Sequence, residues 1–324
     1  MTTDRRGAIL LAHTDQCAPT MNRHEFADLF SLQMATLEAG RTRFFERSVE
    51  SKSFKSHLDA VQLDPLPGPS LGPHEVPASS LVGRVDPGYL VYRWQGSSFP
   101  TIIYHHGNLE RPFEMSGNAK NTFRTVLAVG TREIEANLLV VRAPFHRMAV
   151  REYLQRMGRI ENFVAMLAVS TALVEQIVRE CREGGCRQIL VAGISLGGTV
   201  TNLHRTHFSS ADAYVPMLAG TAQGDMFTQS AYRRLLGKAG RRNPEIVQEL
   251  LNFTHEYLRV RDHNVFPLLA RYDRYVPFER QEECYSDHPV RVMERGHITA
   301  ALSPKLLRRH IVDVLKGETP GHGL

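Results

Sequence analysis

The five residues Gly193-Ile194-Ser195-Leu196-Gly197 place a hydroxyl between two glycines, directly after the apolar run 189–192 and before a stretch, 199–208, that can be helical. A serine on such a strand-to-helix elbow is held out of the sheet, and the glycines are needed because a side chain there would meet the neighbouring strand or helix. A serine hydroxyl is a weak nucleophile near neutral pH, so this chemistry requires a base within hydrogen-bond reach and an acid to orient that base. Two downstream residues are candidates. Asp273 follows the apolar run 265–269 and stands in Asp-x-x-Val-Pro; His297 follows the run 290–293 in Glu294-Arg295-Gly296-His297. A developing oxyanion also needs donors. The run 101–104 leads into His105-His106-Gly107-Asn108, where the missing side chain of Gly107 lets backbone N–H groups approach a negative charge. The expected hole is the N–H of Leu196 with that of Asn108 or Gly107, and His106 and Ile194 are expected to border the substrate.

Each candidate has a rival. Asp225, after the apolar run 213–218, lies at another place where this kind of sheet can supply the acid; Asp273 is favoured by its spacing to His297 and its Val-Pro context. Among the 15 histidines, His288 precedes the last apolar run and His310 falls in a C-terminal helical stretch, which leaves His297 as the base. His105 and His106 are adjacent on a strand, point to opposite faces and do not suit one metal ion. Neither metal nor cofactor is expected. Arg233, Arg234, Lys238, Arg241 and Arg242 form a basic set that could attract an anionic substrate group or simply be the solvated face of a helix.

The elements that must carry these residues are short apolar runs at 89–94, 101–104, 138–141, 189–192, 213–218, 265–269 and 290–293, separated by helical intervals. Strands apolar on both faces with helices between them indicate a parallel sheet covered on both sides, a three-layer α/β architecture. The interval 148–183 has room for two helices. Ligand sites in such sheets lie beyond the carboxyl ends of the strands, where the loops holding Ser195, Asp273 and His297 can converge.

Taken with the chain order Ser, Asp, His, residues 81–316 resemble the α/β-hydrolase superfamily, in His106-Gly107, the 193–197 elbow, Asp273 before Val276-Pro277, and His297. The resemblance implies an α/β-hydrolase fold with Ser195 as nucleophile, His297 as general base and then acid, Asp273 as its buried orienter, and an acyl-enzyme intermediate. It also implies a helical cap at 221–262. The sequence departs from the Gly-Gly-rich oxyanion loop of many lipases, and residues 1–79 match no part of the superfamily pattern. The expected activity is cleavage of a carboxylic ester of a small acyl substrate. A thioesterase, amidase or acyltransferase would use the same residues, and a non-catalytic binding module would need none of them together.

Residues 80–324 are assigned to the catalytic domain and 1–79 to an N-terminal helical extension with a proline-rich linker at 63–77. Within the extension, residues 22–47 space Phe26, Leu29, Phe30, Leu37, Phe44 and Phe45 along one helix, interrupted near Gly40, with Asn22 and Glu25 as its capping box. That apolar face is expected either to pack on its own domain or to dock another subunit through Phe26, Phe30 and Phe44.

With 324 residues, 42% hydrophobic and 23% charged, the composition is that of a globular protein, and a net charge of +5 does not point to nucleic acid as a partner. No run approaches the roughly 20 apolar residues of a membrane span. Behind Arg5 and Arg6 the apolar run 8–12 is shorter than an export signal requires. Cys17, Cys181, Cys186 and Cys284 are too few for a disulfide framework and read as free thiols, so a cytoplasmic setting is expected.

Overall fold

Strands that are apolar on both faces can be satisfied only by cover on both faces, and the chain supplies it by alternating strands with helices. A computed structural model describes residues 21–117, 119–129 and 134–318; Cys17 and the run 8–12 lie outside the described residues. The chain opens with α1 (Arg23–Ala39), α2 (Phe54–Asp59) and the strands β1 (Gln62–Leu63), β2 (Gly72–Glu75), β3 (Ala78–Ser80), β4 (Gly83–Val85), β5 (Gly88–Arg93), β6 (Thr101–His105) and β7 (Asn137–Arg142). It continues through α3 (Val150–Met157), α4 (Ile160–Glu183), β8 (Ile189–Ile194), α5 (Leu196–His207), β9 (Ala213–Met217), α6 (Gln223–Gln229), α7 (Lys238–Arg242), α8 (Pro244–Leu251) and α9 (Thr254–Tyr257). A short 3-10 helix, Ala231–Leu235, lies between α6 and α7. The chain closes with β10 (Leu268–Ala270), α10 (Phe278–Cys284), β11 (Arg291–Met293), α11 (His297–Ala301) and α12 (Pro304–Leu315).

Eight strands form one sheet in the order β11-β10-β9-β8-β6-β7-β5-β2. Neighbours from β11 to β7 are parallel, whereas β5 runs antiparallel to β7 and β2 to β5. This is the mostly parallel sheet anticipated from the apolar runs. Side chains alternate across it. Ile103, Leu139 and Val191 join Phe163, Val164 and Leu167 of α4 in one core, while Ile102, Leu138 and Leu190 join Leu307, Ile311 and Val314 of α12 in the other. Helix α4 is long and apolar enough to cross a membrane, and 72% of its most apolar window is buried inside the fold. Cys181, Cys186 and Cys284 are buried free thiols.

Residues 21–79 are built into this body. The proline-rich stretch contributes β2 at the edge of the large sheet, a position where Pro73 withholds no ladder bond from a second neighbour. Strands β1, β3 and β4 make a separate three-stranded sheet. Helix α1 starts at the anticipated capping box, with His24 N–H donating to Asn22 and Asn22 N–H to Glu25, both at 3.0 Å.

The 22–47 segment is not one helix. At Gly40 the backbone turns to φ 56°, and the following residues form an irregular segment held by single bridges from Phe44 to Leu236 and from Ser48 to Arg159. Helix α1 also packs by the face opposite to the one its apolar spacing suggested. His24, Asp28, Leu32 and Ala39 are buried, whereas Phe26, Phe30, Met34 and Leu37 stay exposed. Phe44 and Phe45 are fully buried and form an aromatic cluster with Phe163 and Phe227, Phe45 lying 4.8 Å from Phe227 between ring centroids. Such a side chain leaves a cavity when truncated, so Phe45→Ala is expected to cost about 3–5 kcal/mol. Urea unfolding would show this as a lower midpoint of one transition; an unchanged midpoint would mean that residues 44–45 are not part of the core.

Candidate active site

The elbow between β8 and α5 is set by three close approaches. A Cβ on Gly193 would lie 2.2 Å from the Gly197 carbonyl oxygen, and one on Gly197 would lie 2.1 Å from that of His105. A Cβ on Gly198 would lie 2.7 Å from Ala219. With side chains excluded there, the backbone reverses at Ser195 with φ 54° and ψ −113°, a sparsely populated conformation for a residue bearing a Cβ. The Ser195 N–H donates to Met217 O at 2.8 Å, which fixes the elbow to β9. Leu196 then opens α5, so its N–H is one of the helix-start donors without an intrahelical acceptor.

The loops after β10 and β11 bring the other two residues to the same sheet edge. His297 Nε2 lies 3.1 Å from Ser195 Oγ, and its Nδ1 lies 2.7 Å from Asp273 Oδ2. A proton on Nδ1 donates to the carboxylate, leaving Nε2 free to accept from the serine. Asp273 is held in turn by the N–H groups of Tyr275 and Val276, each 2.8 Å from Oδ1, and by Gln281 Nε2 at 3.4 Å from Oδ2. Gln281 is fixed by a second bond to Val276 O. The Tyr275 ring stacks on His297 at 4.6 Å and 7°. Burial alone would lower the His297 pKa; the Asp273 carboxylate, with Asp28 behind it, outweighs that effect and the net direction is upward.

Across the elbow, the loop after β6 carries Gly107 and Asn108 on the cavity wall. Gly107 packs against a buried carboxyl: a Cβ there would sit 2.6 Å from Glu110 Oε1. Burial raises the Glu110 pKa, against the opposing bonds from Thr122 and the Gly107 amide. Glu110 Oε2 accepts from both the N–H and the hydroxyl of Thr122 at 2.7 Å. The Gly107 amide is turned to the Glu110 carboxyl. The Asn108 side chain accepts from Tyr153 at 2.6 Å and also meets the Tyr232 hydroxyl.

Ser195 and His297 open into a cavity of about 360 Å³. Its lining includes Leu109, Leu154 and Ile194, Leu32 and Ala35 of α1, and Phe44, Tyr232 and Leu235. From the 221–262 interval, Tyr232 and Leu235 reach the cavity; much of the remaining cover comes from α1 of the N-terminal extension. Ile194 lines the cavity. His106 does not border it: the ring is fully buried behind the wall, its Nδ1–H donating to Gly107 O at 2.6 Å and its Nε2 accepting from Ala143 N–H at 3.0 Å. Burial holds its pKa well below 6.5, so it is a neutral prop for the loop.

The rivals lie elsewhere. Asp225 accepts from Gln248 and Asn252 within the helical interval, and His310 Nε2 bonds Phe266 O beneath α12. The arginines 233, 234 and 241 line a separate open depression with Leu29 and Arg274. His105 Nδ1 bonds a main-chain oxygen, and among the described residues no group of three or more His, Cys, Asp or Glu is arranged to hold a metal ion. Tyr275, Gln281, Glu110 and Asp28 were not legible as site residues: Tyr275 occupies an unspecified position of Asp-x-x-Val-Pro, and the other three belong to no short motif.

Residues 131–237 match the family described as alpha/beta hydrolase domain containing 18, a segment that includes the elbow but neither Asp273 nor His297. No curated protein matches the chain. Among solved structures, the chain is similar to an esterase of Pyrococcus furiosus, with 13% identity and a TM-score of 0.50 over 78% of this chain and 95% of that one. It is also similar to an acylaminoacyl peptidase of Pyrococcus horikoshii, with 13% identity and a TM-score of 0.51 over 77% of this chain and 42% of that one. The chain thus spans less than half of the peptidase's length. At these identities the likeness is one of fold.

The raised pKa of His297 is directly measurable. Ring-proton NMR of the histidines is expected to show His297 titrating above 6.5, with its pKa lowered in Asp273→Asn. A His297 titrating below 6.5 in the wild type would mean that burial, and not the carboxylate, dominates its environment.

Proposed function

We propose that this chain, which has the α/β-hydrolase fold, is a serine hydrolase that cleaves a carboxylic ester through acylation of Ser195. The observation that carries this reading is the hydrogen-bonded line Ser195–His297–Asp273 opening into an apolar cavity. In the first half-reaction the Ser195 oxygen attacks the ester carbonyl while His297 Nε2 takes its proton. The tetrahedral oxyanion is met by the N–H groups of Leu196 and Asn108, and the start of α5 adds the positive end of its dipole. Collapse breaks the ester C–O bond, and His297 returns the proton to the departing alcohol. Water then enters, loses a proton to Nε2 and attacks the acyl-serine; the second collapse releases the carboxylic acid and restores the serine. Asp273 stays ionised and fixes the ring through Nδ1. Leu32, Leu109, Leu154 and Leu235 favour an apolar acyl group along their part of the wall, with Glu38 and Lys120 the charged side chains of the same lining.

Purified protein treated with a fluorophosphonate is expected to gain one adduct by intact mass, and Ser195→Ala none. A folded wild type that stays unlabelled would overturn the reading. With a 4-nitrophenyl ester, kcat/KM is expected to rise with pH as His297 loses its proton, with a midpoint above 6.5 because that pKa is raised. Asp273→Asn is expected to lower kcat by about 10³–10⁴-fold through loss of the productive tautomer. A profile flat from pH 5 to 9 would contradict the role of His297.

A further inference from the structure

Helix α1 does more than cover the cavity. Its Asp28 is fully buried, and its carboxylate accepts backbone N–H groups from both loops that carry the charge-handling residues. Oδ2 takes the N–H of His297 at 2.8 Å and that of Arg274, next to Asp273, at 3.0 Å; Oδ1 takes the N–H of Ile298 at 2.9 Å. The loop after β11 is shaped to admit it, since a Cβ on Gly296 would lie 2.8 Å from Asp28 Oδ2 and 2.7 Å from His24 O. Around this contact His24 Nδ1 bonds Thr299 Oγ1 at 2.9 Å and Ser31 Oγ accepts from the Tyr275 hydroxyl at 3.0 Å. Three donors from two loops converge on one carboxylate that belongs to neither.

Resting on the hydrolase reading above, we propose that Asp28 is a positioning residue: it clamps the backbones of the His297 and Asp273 loops together and so sets the distance between ring, carboxylate and Ser195. The N-terminal helix is then part of the catalytic apparatus although it touches no reacting atom. Asparagine cannot replace the aspartate here. It has one acceptor oxygen, so two loop N–H groups would face it and the third would face another donor. The charge also matters, because the groups acting on His297 are Asp273 from the β10 loop, Asp28 from α1 and Lys120 from the loop before the π-helical turn Arg124–Ala128, with the neutral Tyr275 and Ser195 in contact. The two carboxylates raise its pKa and Lys120 opposes them.

The test compares wild type, Asp28→Asn and Gly296→Ala on a 4-nitrophenyl ester across pH, with fluorophosphonate labelling of each. Asp28→Asn is expected to lower kcat by about 10–100-fold with KM changed by less than about threefold, as a small misplacement of catalytic groups does. Its acid limb should move to lower pH, which a merely structural loss would not produce. Gly296→Ala, which pushes the carboxylate off its donors, should lower kcat in the same direction. Should Asp28→Asn fail to fold, amide hydrogen exchange of the wild type decides the matter: the N–H groups of Arg274, His297 and Ile298 are expected to be protected together, and fast exchange at them overturns the clamp. Wild-type kcat and an unshifted acid limb in a folded Asp28→Asn overturn it while leaving the hydrolase reading intact. No labelling of the wild type overturns both.

Discussion

A serine side chain can stand clear of a covered sheet only where the chain reverses within one residue, and at Ser195 it does so with φ 54° while its neighbours press backbone against backbone. A conformation of this kind costs of the order of 1–3 kcal/mol and persists only where the surroundings over-determine it. Here they do: β8 is buried along its whole length between β6 and β9, and α5 packs directly behind it. The same reversal turns Oγ to the cavity and places the Leu196 N–H at the start of α5. Everything else at the site is arranged around that point.

The second constraint is electrostatic. His297 is almost wholly buried, which by itself disfavours its charged form, so the proposed role as a base that takes up a proton needs compensation. Asp273 provides it, and is itself kept in place by two main-chain N–H groups and Gln281. Asp28 adds a second carboxylate beyond the ring. Buried His106 and His146 lie close to one another near the loop after β6, and burial pushes both toward the neutral form, so they shape that loop without adding charge to it.

What was readable in the sequence was local or ordered. The elbow declared itself because its glycines answer to contacts within a few residues of the serine, and the strands because cover on both faces leaves continuous apolar runs. Asp273 and His297 followed from chain order and from their places after strands. The role of α1 was not readable in the same way. Its apolar residues at 26, 30, 34 and 37 form the more obvious stripe, yet the face turned inward carries His24, Asp28 and Leu32, because what it meets is a pair of loops offering unpaired N–H groups. An acid mid-helix is a sign of such a partner only once the partner is known. His106 was misplaced for a related reason: alternation along β6 predicts opposite faces, but the strand ends at His105 and the next ring turns under the loop.

The central claim is that one site is assembled from the elbow, two strand-end loops and the N-terminal helix. A crystal structure of the protein inactivated by an alkylphosphonate tests it most directly. The account predicts phosphorus bonded to Ser195 Oγ, the phosphoryl oxygen within hydrogen-bond distance of the Leu196 and Asn108 N–H groups, and the alkyl chain lying between Leu32 and Leu154 beneath α1. Phosphorus on another residue, or an oxygen turned away from those two N–H groups with α1 displaced from the site, would contradict it.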